Sequence, residues 1–162
     1  MAAMRFLVPL FFLTLGCAQN SIDETLEKLN RGSVPYISAL ELSDAKQMVL
    51  LDTRSREEYD VSHLQDALWV GYDHFSIDSV TRQIPDKNKT VVVYCSVGVR
   101  SEDIGEKLIA NGYRDVKNLY GGIFEWKNEG YPVYDNSGKK TEKVHAYSKQ
   151  WGKLLTKGEK VY

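Results

Sequence analysis

Apolar and polar residues fall in blocks along this chain, and the block lengths separate strands from helices. The clearest block is "VVVYC", residues 91 to 95, in which four uncharged residues precede a cysteine; such a run suits a central strand covered on both faces. "QMVLLD", residues 47 to 52, predicts a buried strand that delivers Asp52 to one end of a sheet, and "ALWV" (67 to 70) and "DVKNL" (115 to 119) predict two more. Helical patterns lie between them. "SEDIGEKLIANGY" places Ile104, Leu108 and Ile109 on one face, with acidic residues in the first turn and Asn111-Gly112 as a stop. Ser38 with Glu41, and Ser55 with Glu58, have the spacing in which each side chain satisfies the other's backbone amide at a helix start. "GGIFEWKNEGYPV" predicts a glycine turn, a short helix with Phe124 and Trp126, and an exit through Pro132. Strands alternating with helices define the α/β class: a single domain with a mostly parallel central sheet flanked by helices.

The two ends read differently. "MAAMRFLVPLFFLTLGCAQN" has one early positive charge, Arg5, an apolar run from Phe6 to Leu15, then Gly16 and Cys17, the outline of an export signal over residues 1 to 16. Its run of about ten apolar residues falls short of the roughly 20 that span a bilayer. Cys17 after a small residue resembles a bacterial lipoprotein signal, in which the cysteine is lipidated and becomes the mature N-terminus. Thr14 and Leu15 stand where that motif usually has Leu and a small residue. The expected location is the periplasmic side of a bacterial cell envelope, membrane-held through lipid on Cys17, with simple secretion as the alternative. Residues 17 to 33 are expected as a tether, partly helical through Leu26 and Leu29. At the other end, residues 135 to 162 form a lysine-rich extension, with seven lysines from Lys139 to Lys160 interleaved with Tyr147, Trp151 and Leu154. A solvated arm that packs one or two aromatics on the domain, with a helix from Ser148 to Leu155, is expected there; the alternatives are a membrane-surface or partner-docking role and a segment that covers a cavity mouth through Trp151.

Composition narrows the chemistry. The chain has 162 residues, 43% of them hydrophobic, enough to close a core. Lys and Arg total 21 against 22 Asp and Glu, which gives no bulk electrostatic case for nucleic acid. Only two cysteines exist, Cys17 and Cys95, so lipid on the first leaves the second without an intramolecular partner. Cys95 stands at the carboxyl end of its strand, where ligands of parallel sheets bind. From Ser96 to Arg100 the chain must turn from strand into helix, with Gly98 available for backbone angles other residues resist. Such a turn aims successive amides inward as an anion nest at a helix start, which favours the thiolate of a cysteine at its centre. Arg100 adds a fixed charge and a forked donor set. The function class that follows is nucleophilic attack on an anionic substrate through a covalent cysteine intermediate.

"CSVGVRS" resembles the active-site loop of the rhodanese family. "LLDTRSREEYDVSHLQDA" is similar to that family's strand-helix segment with its Asp-x-Arg, Glu-Tyr and Gly-His-Ile elements, and "NLYGGIFEW" to its closing Gly-Gly and Trp segment, so the resemblance covers residues 34 to 134. It implies that Cys95 is a persulfide-forming nucleophile and that Ser96, Val97, Gly98, Val99 and Arg100 bind the substrate. Asp52, Arg54 and Ser101 are implied as supports, and Glu58 and His63 as scaffold. Ser62 replaces the glycine usual before the histidine, which puts the tightness of that turn in question. Four residues separate Cys95 from Arg100, the count the resemblance associates with sulfurtransferases; related dual-specificity phosphatases have a longer loop. The implied reaction moves sulfur from a small sulfur-containing anion such as thiosulfate, or from a persulfide donor, to cyanide, a thiol or a protein acceptor. No metal or organic cofactor is implied, and His145 and the other histidines have no metal-ligand spacing. The alternatives are a binding or sulfur-carrier module without turnover, and a phosphatase or arsenate reductase.

Overall fold

The computed structural model describes residues 21–162; the expected signal over 1 to 16 and the expected lipid site at Cys17 lie outside the described residues. Strand β1 (Tyr36–Ile37) follows helix α1 (Ile22–Leu29), and α2 (Ala39–Asp44) leads into β2 (Val49–Asp52). Next come α3 (Arg56–Val61), β3 (Leu68–Trp69), α4 (Ile77–Gln83), β4 (Thr90–Tyr94), α5 (Val99–Ala110), β5 (Asp115–Leu119) and α6 (Gly122–Asn128). The five strands form one sheet in the order β1-β5-β4-β2-β3, and every pairing in it is parallel.

β4 is central because nothing along it needs water. Val91 and Val93 join one apolar cluster with Val34, Leu51, Ile104 and Leu108, while Val92 and Tyr94 join the other with Leu64, Ile123 and Phe124. One strand thus supplies both cores, and the next residue, Cys95, is delivered to the carboxyl edge. β2 starts two residues later than its apolar run because Gln47 takes a left-handed turn at φ 66°.

Both expected capping pairs form: Ser38 and Glu41 open α2, and Ser55 and Glu58 open α3. Helix α5 buries Ser101, Ile104, Gly105 and Leu108. Ile109, expected on the same face, is 41% exposed, because it lies about 100° around the helix from Leu108. Ser62 has φ −171° and ψ 156°, extended backbone open to any residue, so the missing glycine does not loosen that turn.

The two ends depart furthest from expectation. The stretch expected as a tether carries α1, whose Ile22 and Leu26 enter the main apolar cluster while Leu29 faces solvent. No helix among the described residues is long and apolar enough to cross a membrane. The lysine-rich extension is not a solvated arm. Strand β6 (Val133–Tyr134) pairs antiparallel with β7 (Lys140–Thr141), and β8 (Lys143–His145) pairs parallel with β9 (Glu159–Val161). Val144, Ala146 and Leu155 are fully buried against the domain. A 3₁₀ turn, Trp151–Leu154, replaces the helix expected from Ser148 to Leu155. The β8–β9 pairing reaches across more than a dozen residues, so no local periodicity announces it.

Candidate active site

The loop after β4 is shaped from outside. Two amides at the start of α6 hold its first carbonyls: Ile123 N donates to Cys95 O at 2.9 Å and Phe124 N to Ser96 O at 3.0 Å. The Gly98 carbonyl accepts from Asn118 Nδ2 at 2.8 Å and Asn30 Nδ2 at 2.9 Å. Because each peptide is planar and trans, an outward carbonyl turns the following N–H the other way. The amides of Ser96, Val97 and Val99 therefore point away from their neighbours' restraints, and Gly98 N donates to Cys95 Sγ at 3.1 Å. The nest is held open by three separate elements.

Two glycines are required by this arrangement. Gly98 has φ 106° and ψ 5° as the residue before α5, and it supplies no side chain to occupy the helix's first amides. Gly122 packs so closely behind the loop that a Cβ there would collide with Cys95 O and with the Ser96 carbonyl.

Arg100 is fixed by Glu58. Its Nη1 donates to Glu58 Oε2 at 2.9 Å and its Nη2 to Oε1 at 2.8 Å, with a third bond from Nη2 to Ser96 Oγ at 3.0 Å. Ser96 Oγ donates to Glu58 Oε1 at 2.9 Å. Glu58 also accepts from Ser55 N at 3.0 Å, so one carboxylate caps α3 and orients the loop arginine. Burial disfavours the Glu58 carboxylate, but the Arg100 hydrogen bonds and the charges of Arg100 and Arg54 outweigh it and bring its pKa down to about 2. For Arg100 too, burial opposes the charge, while Glu58 and the Cys95 sulfur raise the pKa above its ordinary value.

Asp52 and Arg54 are brought near the loop but not into its cavity. Arg54 Nη2 lies 2.6 Å from Asp52 Oδ2 and donates to Ser62 O at 2.7 Å, with both side chains fully buried. Arg54 Nη1 and Ser62 Oγ have no hydrogen-bond partner among the described residues. Ser101 Oγ donates to Asn118 Oδ1 at 2.7 Å, behind the nest. His63 stacks on Tyr59 at 4.0 Å and accepts no role at the sulfur.

A cavity of about 140 Å³ opens onto the thiol, lined by Cys95, Ser96, Val97, Val99 and Arg100 together with Tyr147 and Trp151 from the extension. Cys95 itself is 1% exposed. The sequence pointed to Trp151 as a cover but not to Tyr147, nor to Asn30, Asn118 and Gly122 as restraints. Asn118 gave no signal, since it follows Lys117 in a strand of mixed polar and apolar residues.

Residues 38–129 match the family model described as Rhodanese-like domain, and the chain belongs to that family. It is similar to the tRNA uridine(34) hydroxylase of Streptococcus thermophilus, 35% identical over 121 residues, and to that of Streptococcus pneumoniae, 36% identical over 115 residues. Each match covers 67% of this chain but 35% of the relative, so the chain spans about a third of the length of those curated proteins. A rhodanese-related protein from Thermoplasma volcanium superposes with a TM-score of 0.50 at 26% identity, over 61% of this chain and 96% of that one. A thiosulfate sulfurtransferase from Pseudomonas aeruginosa shares the fold, with a TM-score of 0.57 at 24% identity over 75% of this chain and 23% of that one.

Proposed function

We propose that the protein is a sulfurtransferase that carries sulfane sulfur on Cys95 as a persulfide. One observation carries this reading: the Cys95 sulfur accepts the Gly98 N–H at 3.1 Å, inside a ring of amides whose carbonyls are tied outward. Such a ring stabilises a charge on sulfur, whether on the thiolate or on the outer atom of a persulfide. The four-residue loop, the count that the resemblance associates with sulfurtransferases, favours one added sulfur atom over a phosphoryl group.

The reaction divides into two displacements. The Cys95 thiolate attacks the outer sulfur of a donor such as thiosulfate, a new S–S bond forms, and the old one breaks with its electron pair leaving on sulfite. An acceptor thiolate or cyanide then attacks the outer persulfide sulfur, and the electron pair of that S–S bond returns to Cys95. The amides meet the negative charge in both steps. Arg100, tied to Glu58, keeps the first turn of α5 in place.

Intact mass of the purified protein after incubation with thiosulfate or a persulfide donor tests this, with Cys95→Ala as control. The expected outcome is a gain of one sulfur atom, removed by cyanide and absent from the control. A folded protein with a free Cys95 thiol that gains none from any sulfane donor would mark a binding module instead. The proposal includes lipid attachment at Cys17 and a site on the periplasmic side of a bacterial envelope. Cys17→Ser should then move the protein from the membrane fraction to the soluble one, and an unchanged distribution would end that part.

A further inference from the structure

The cavity over Cys95 is walled largely by apolar groups, and among the described residues that line it there is no unbalanced cation. Val97 and Val99 form its loop side, and Tyr147 and Trp151 its far side. Arg100 is the one charged side chain lining it, and that charge is already paired with Glu58. The Arg100 guanidinium carbon lies 5.1 Å from the centroid of the Tyr147 ring, so an aromatic ring shares that charge as well. A dianion entering here meets amides and greasy walls.

Tyr147 is held at a cost. It sits at φ 63°, the left-handed region, which disfavours a residue with a Cβ by roughly 1–2 kcal/mol. It remains 56% exposed, so burial does not offset that strain. The segment that holds it is firmly seated: Ala146 N donates to Val161 O at 2.8 Å, and Val144, Ala146 and Leu155 are fully buried. What the strained backbone achieves is the placement of an aromatic ring against Arg100, beside the indole of Trp151.

We infer that Tyr147 and Trp151 determine donor specificity, selecting a singly charged organic sulfane donor with an apolar substituent over the thiosulfate dianion. This rests on the sulfurtransferase reading and names its substrate class. The apolar substituent occupies the space between the aromatic wall and the two valines, with its sulfane sulfur directed to Cys95. For an arene thiosulfonate, the Cys95 thiolate takes the outer sulfur, the donor S–S bond breaks, and its electron pair leaves on the arenesulfinate. Cyanide regenerates the thiolate and leaves as thiocyanate.

The experiment compares kcat/KM for benzenethiosulfonate and thiosulfate, with cyanide as acceptor, in the wild-type protein, Trp151→Ala and Tyr147→Gly. The wild type should prefer the arene donor by about tenfold or more, the scale of an apolar pocket's discrimination. Each variant should lose most of that preference. Glycine at 147 accepts the same backbone angles, and matching urea midpoints identify the variants that fold normally. Loading of Cys95 from thiosulfate with no arene preference overturns this inference alone, as does a preference that survives both substitutions in folded protein. Failure of both donors, and of a persulfide donor, to place sulfur on Cys95 overturns the sulfurtransferase reading and this inference together.

Discussion

Two arginine–carboxylate pairs whose carboxylates are buried have nearly the same chemistry, and their surroundings give them different work. Asp52 and Arg54 are two residues apart, both fully enclosed, and their bonds end on each other and on the Ser62 carbonyl. Glu58 and Arg100 come from helices 42 residues apart, and the Arg100 side chain keeps 23% of its surface at the cavity. The first pair ties adjacent chain turns together. The second ties a helix cap to the loop after β4 and leaves Arg100 lining the cavity over Cys95. Burial on all sides makes an ion pair scaffold; burial on one side makes it a positioning device.

The largest effect should come from breaking the enclosed pair. Arg54→Leu leaves Asp52 buried without its partner and is expected to cost about 3–5 kcal/mol of stability by urea unfolding. Loss of sulfur transfer in that variant should track the unfolded fraction. A folded variant with normal stability would show that the pair contributes no net stabilisation.

Glu58→Gln comes next, at about 2 kcal/mol, since Arg100 retains some solvent and one amide oxygen. This difference should depend on pH. The folded Glu58 pKa of about 2 lies below its ordinary 4.5, so its stabilising effect is complete above about pH 4.5 and is lost as pH falls through about 2. Stability curves of wild type and Glu58→Gln should therefore converge on acidification, and parallel curves would contradict the assignment.

Arg100→Lys should have the smallest effect on stability, under about 1 kcal/mol, because charge is kept at a partly exposed site. It removes the fork that spans both Glu58 oxygens and Ser96. Turnover should fall about tenfold at matched stability, the loss of one positioned interaction. A collapse in thermal stability with normal turnover would reverse the contrast between the two pairs.

What the sequence discloses follows the range of the interactions. β4, the sulfur loop and both expected capping boxes are local, built from residues a few places apart, and Val91 to Arg100 could be read as strand, turn and helix. Glu58 was legible as a cap and as scaffold, but not as the partner of Arg100, since a cap says nothing about a second ligand 42 residues away. Tyr147 was illegible for a further reason. Its position depends on the parallel pairing of β8 with β9, and the charged residues of those strands look solvated in one dimension. Ile109 misled because it stands five residues after Ile104 and one after Leu108, which leaves it on the rim of the face.

The restraints on Gly98 also bear on how the thiol acquires its chemistry as the chain folds. Asn30 bonds the Gly98 carbonyl across 68 residues and Asn118 bonds it across 20. Closing loops of that length carries an entropic cost before any contact rewards it, so such links form late relative to local turns. A chain with its strand and helix in place but α1 undocked has the cysteine without the completed nest. On the proposed function, sulfur loading would report whether the first helix and the fifth strand have reached their places, and would link reactivity to the end of folding rather than to its beginning.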